Sequence, residues 1–142
     1  MLELKHKNLN VWKRSMDLAT QVYEMTEEYP ANEQYGLISQ LRRSAVSVPS
    51  NIAEGSARRS VKDRKHFYEI ALSSAAEIDT QIELSIRLGF CSEDQLIELE
   101  ESINHVFAML SRLIQKTTEQ IIYLSKGFII ALINFYRLTS HV

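Results

Sequence analysis

Four histidines, one cysteine and 18 carboxylates are the chain's raw material for catalysis or metal binding, and their spacing limits what they can do. A di-iron helical site needs two Glu-x-x-His pairs, each placing carboxylate and imidazole on one helical face. The nearest approximations are His66 with Glu69, in reversed order, and Glu101 with His105 at i and i+4. A lone pair of this kind reads as a solvated helix contact. His6, His66, His105 and His141 have no metal-site spacing. Cys91 has no second cysteine for a disulfide or zinc cluster, and no nucleophile signature surrounds it. Ser47 and Ser50 flank Pro49 without a G-x-S-x-G turn, and four scattered glycines build no phosphate-cradling loop. No catalytic residue, metal or cofactor is expected, and the chain reads as a non-enzyme.

The cations suggest a different chemistry. Arg42, Arg43, Arg58, Arg59, Lys62, Arg64 and Lys65 fall within 25 residues, opposed only by Glu54 and Asp63 up to His66. Five of the seven are arginine, which suits bidentate contacts to phosphate. From Glu77 to Glu101 the balance reverses, with Arg87 alone against eight acidic residues. The net charge of −2 therefore hides a polarised molecule. The basic group is expected to meet RNA or DNA through backbone phosphates, with Phe67 and Tyr68 the nearby aromatics and Phe67 read as core. The alternative is a protein-interaction scaffold, in which the same cations bind an acidic partner or the acidic half of a neighbouring subunit.

These residues need a frame to hold them. At 142 residues, 45% hydrophobic and 24% charged, the chain can bury one sizeable core without a metal or disulfide, which excludes a disordered regulator. Four Gly and two Pro favour long helices with few corners. Helical periodicity runs from Val11 to Tyr29 through Trp12, Met16, Leu18, Val22 and Tyr23, and Pro30 ends it. A second helix starts near Leu37, carries Pro49 as an expected kink, and has Gly55 as its expected stop. Asn51 and Glu54 beside the proline either bond exposed backbone or contact a partner, and the structural role is favoured. Ser60 with Asp63 caps a third helix that Gly89 closes. Ser92 with Gln95 reads as a capping box for a fourth, whose Leu96, Leu99, Ile103, Val106, Leu110 and Leu113 alternate spacings of three and four.

The expectation is an all-α, up-down four-helix bundle over residues 1–120. Residues 121–142 form an apolar extension packed on the bundle or at a subunit interface. Its uninterrupted apolar run, Phe128 to Ile133, is too short for a membrane span. With a single cysteine and no signal-like N-terminus, the cytoplasm is the expected location.

LNVW at Leu9–Trp12, Tyr23 with Thr26 and Pro30, YGL at Tyr35–Leu37 and QLRRSAVSVPSNIAEG at Gln40–Gly55 resemble the proteins encoded in intervening sequences of bacterial 23S rRNA genes. That family looks related to the accessory variability determinant of diversity-generating retroelements, a basic partner of a reverse transcriptase. The resemblance covers roughly residues 8 to 118. It implies a four-helix bundle assembled as a homo-oligomeric ring, commonly a pentamer, without known catalysis. The motif residues carried over are Arg42, Arg43, Pro49, Asn51, Glu54 and Gly55, while Ser44 stands where the family's alanine is expected.

Overall fold

The structure, a computed structural model, describes residues 3–139, with side chains for 3–94 and 96–130. Four α-helices account for the bundle: α1 (Asn10–Glu27), α2 (Leu37–Ala57), α3 (Val61–Arg87) and α4 (Ile97–Thr139). Short 3-10 turns at Lys5–Asn8, Ala31–Glu33 and Glu93–Gln95 precede α1, α2 and α4. Each connection is short, so neighbours in sequence run antiparallel, and α4 closes the bundle against both α3 and α1. Leu18, Val22, Leu41, Val48, Ile52, Ala71, Ala75, Ile78, Leu96, Val106 and Leu110 fill one continuous core. The expected apolar positions Met16 and Tyr23 instead lie at the α1 surface.

The two ends of α3 follow from local chemistry. Ser60 Oγ accepts the Asp63 amide at 3.2 Å, meeting one of the helix's unpaired first donors. At the other end Gly89 adopts φ of 73°, its amide donates to the Ile86 carbonyl, and Phe90 N–H donates to the Ser85 carbonyl, both at 2.9 Å. This is a Schellman closure.

Helix α2 departs from expectation at Gly55. The helix continues to Ala57, and Gly55 is buried where a Cβ would sit 2.8 Å from Tyr68 Cε1. Its missing side chain serves the close approach of α3, not a helix stop. Helix α2 also runs unbroken through the buried Pro49. Around it Ser50 Oγ donates to the Val46 carbonyl at 2.8 Å, and Asn51 Nδ2 donates to the Ser47 carbonyl at 2.8 Å. Asn51 also reaches Ser47 Oγ, which shares a 2.8 Å hydrogen bond with Ser74 Oγ of α3. Ser44 Oγ donates to Glu77 Oε2 at 2.9 Å, a second polar tie between the same helices.

The expected capping box does not open α4. Residues Glu93–Gln95 form a 3-10 turn and α4 starts at Ile97, with Glu100 N–H bonding the Leu96 carbonyl at 2.8 Å. Nor is the apolar segment from residue 121 a separate element. It continues α4, a helix of 43 residues, about 64 Å long at 1.5 Å per residue. Bundle packing fades past Thr117, and side chains 122–130 are exposed in the single chain rather than laid on its own bundle. Ser140, His141 and Val142 lie outside the described residues. Among the described residues no helix is long and apolar enough to cross a membrane.

Candidate nucleic-acid interface

The antiparallel order of the helices sorts charge between the two ends of the bundle. The start of α1, the end of α2 and the start of α3 share one end; the end of α1, the end of α3 and the start of α4 share the other. At the first end the 3-10 turn Lys5–Asn8 packs against α1 and α2, with His6 edge-on to Trp12 at 5.0 Å between ring centroids. Between this turn, α2 and α3 lies a groove of about 790 Å³. Lys5, His6, Arg58, Arg59 and Arg64 line it, against Glu3 and Glu54.

Arg58 is held in place. It forms an ion pair with Glu54 one turn back, and its guanidinium lies over the Phe67 ring at 4.8 Å. Arg64 Nη2 donates to the Arg58 carbonyl at 3.3 Å, fixing the α2–α3 corner. Lys65 pairs with Glu69 at 2.7 Å. Arg59 and Lys62 are exposed and form no ion pair with the described residues. Exposed pairs such as Arg58–Glu54 contribute at most about 1 kcal/mol, so a phosphate can displace the carboxylate at little cost.

The seven cations do not form one patch. Arg42 and Arg43 lie about 23 Å from Arg58 along α2, toward the acidic end. Arg42 is committed to α1: Nε donates to Thr26 Oγ1 at 2.8 Å, Nη2 reaches the Tyr23 carbonyl at 3.4 Å, and the guanidinium covers the Tyr23 ring at 4.6 Å. Arg43 is exposed on its own. Neither aromatic near the corner is an open platform for bases. Tyr68 is buried, which raises its hydroxyl pKa although Arg64 opposes the shift, and Phe67 is covered by Arg58. Lys5 and His6 join the groove although the sequence reading began its basic cluster at Arg42. The signal was the KHK run at Lys5–Lys7, 35 residues away in sequence from Arg42 but at the same end as Arg58 in space.

The opposite end holds a smaller cavity of about 400 Å³, lined by Gln21, Glu24, Met25, Glu28, Phe90, Cys91, Leu96, Glu98 and Leu99. Cys91 Sγ lies 3.6 Å from Tyr29 Oη. Burial, reinforced by Cys91 and opposed by Ser85, pushes the Tyr29 pKa well above its ordinary value. This phenol stays protonated near neutral pH and cannot serve as a base for the thiol. Among the described residues no group of three His, Cys, Asp or Glu side chains converges as a metal site.

Comparison with known proteins bears on the bundle rather than on the groove. A solved protein of unknown function from the S23 ribosomal protein family of Bacteroides thetaiotaomicron shares 26% identity with a TM-score of 0.64. The match covers 73% of this chain and 97% of that one. No curated protein matches. The family model described as 23S rRNA-intervening sequence protein matches residues 7–112, which span the whole of α1 to α3 and the bundled start of α4, and the chain belongs to that family.

Proposed function

We propose that this chain is a non-enzymatic, homo-oligomeric bundle that contacts RNA or DNA by backbone electrostatics at its basic end. The observation that carries the reading is the groove in which Lys5, His6, Arg58, Arg59 and Arg64 converge from three separate elements. Lys62 and Lys65 flank it on the first turns of α3. A phosphate backbone laid across this end meets several cations at once, and repetition around an oligomer multiplies weak contacts into avidity. The absence of an exposed aromatic at the corner favours phosphate contact over base stacking. The single cysteine suits a reducing cytoplasm.

The test is binding of the nuclease-treated protein to labelled structured RNA and duplex DNA across a salt series. About four neutralised phosphates give a log–log salt slope near −3.6 on duplex DNA. Arg58→Glu with Arg59→Glu is expected to flatten the slope and weaken binding at least tenfold. Arg42→Ala is expected to lower stability while leaving the slope unchanged. Unchanged affinity and slope in the Arg58/Arg59 variant, or no binding at low salt, refutes the reading.

A further inference from the structure

The cavity of about 400 Å³ at the acidic end has no part in the basic-end reading. It lies between the last turns of α1, the α3–α4 connection and the start of α4, and its size is within the roughly 300–1,000 Å³ usual for small-molecule sites. Its floor is apolar. Leu96 and Leu99 are 1% and 5% exposed, and Met25 and Phe90 pack, partly buried, against the same core. Its rim is acidic: Glu24, Glu28 and Glu98 line it, all three exposed, and no Lys or Arg among the described residues does.

These carboxylates are poorly placed for the fold alone. Glu24 and Glu28 stand four positions apart, a spacing at which like charges on a helix repel. They also sit at the carbonyl end of α1, where the helix dipole favours cations, and the last turn of α1 carries no basic residue. None of the three forms an ion pair with the described residues. Gln21 lines the same wall, and its side-chain oxygen is buried without a hydrogen-bond partner among the described residues. Charge and hydrogen bonding thus ask for the same thing, a cation that carries N–H donors. With no three His, Cys, Asp or Glu side chains converging on one metal position among the described residues, the charge is spread around the opening, which suits an organic head better than a metal ion.

We propose that this cavity binds a small organic cation, an ammonium or guanidinium head on an alkyl or aryl arm. The arm lies on Met25, Phe90, Leu96 and Leu99, and the head donates hydrogen bonds among Glu24, Glu28 and Glu98. The site is separate from nucleic-acid contact at the opposite end and does not depend on it.

Saturation-transfer NMR titrations of the full-length protein at low salt test the site. The probe is phenethylammonium, with 2-phenylethanol as its neutral counterpart and methylammonium as a head without an arm. Phenethylammonium is expected to saturate at millimolar concentration or below, and each counterpart to bind at least about fivefold more weakly. Glu24→Gln with Glu28→Gln is expected to bring the affinity for phenethylammonium down to that for 2-phenylethanol. Glu100→Gln with Glu101→Gln, exposed carboxylates of the same end that do not line the cavity, is expected to leave it unchanged. Circular dichroism checks that both variants keep their helical content. Equal binding of 2-phenylethanol to the unmodified protein would mean an apolar pocket without charge selection and overturn the proposal. So would equal losses in the two variants, which would put the cation in the diffuse field of the acidic end, and so would the lack of saturable binding at millimolar probe.

Discussion

A Cβ at position 55 would lie 2.8 Å from Tyr68 Cε1 and 3.1 Å from Phe67 Cβ, and Tyr68 is itself only 3% exposed. The ring has no room to retreat, so α3 would have to move. Replacing glycine by alanine inside a free helix gains about 1 kcal/mol; overpacking a filled contact costs about 1–3 kcal/mol. Gly55→Ala is therefore expected to destabilise by about 1–2 kcal/mol in urea denaturation, and a stabilised variant would show that the helices separate easily. The sequence offered only a glycine after an apolar run, which reads as a helix end because the facing tyrosine is 13 positions away. The partners of Arg42 were hidden for a similar reason. Its type matched the phosphate-binding arginines, but its hydrogen bond to Thr26 and its place over Tyr23 depend on the packing of α1 against α2.

Elements defined by local signals were readable. Ser60 caps α3 through the Asp63 amide, and Gly89 closes it with both expected backbone bonds, because each device spans a few consecutive residues. The space around Gly89 is empty, so a side chain there meets nothing and the only penalty is its φ of 73°. Gly89→Ala is expected to cost about 1–2 kcal/mol, with Gly89→Asn losing less; equal stability of all three in urea would mean that this turn relaxes freely. The start of α4 was misread because Ser92 and Gln95 satisfy the capping pattern while the chain is still completing the α3–α4 connection. Ser125, Lys126 and Gly127 interrupt the apolar run of the extension without interrupting the helix, since one glycine costs a helix only about 1 kcal/mol. No proline stands nearby to break the backbone ladder, and α4 continues through them.

The whole molecule combines a basic end with an acidic one. Nucleic-acid phosphates seek the cations around Arg58 and Arg59 and are repelled by the carboxylates around Glu98 and Glu101. Helix α3 separates the two groups by its 27 residues, about 40 Å at 1.5 Å per residue, several times the Debye length of about 8–10 Å near physiological salt. Glu98→Gln with Glu101→Gln is therefore expected to leave duplex affinity and its salt slope unchanged at about 0.15 M salt, while Arg58→Glu with Arg59→Glu weakens both. A tenfold gain in affinity from the glutamine pair would mean that the phosphates run along the whole bundle instead of across its basic end. The charge segregation behind this prediction was visible as a basic run followed by an acidic one. That the runs occupy opposite ends, and that the extension leaves from the basic one, required the antiparallel order of four helices.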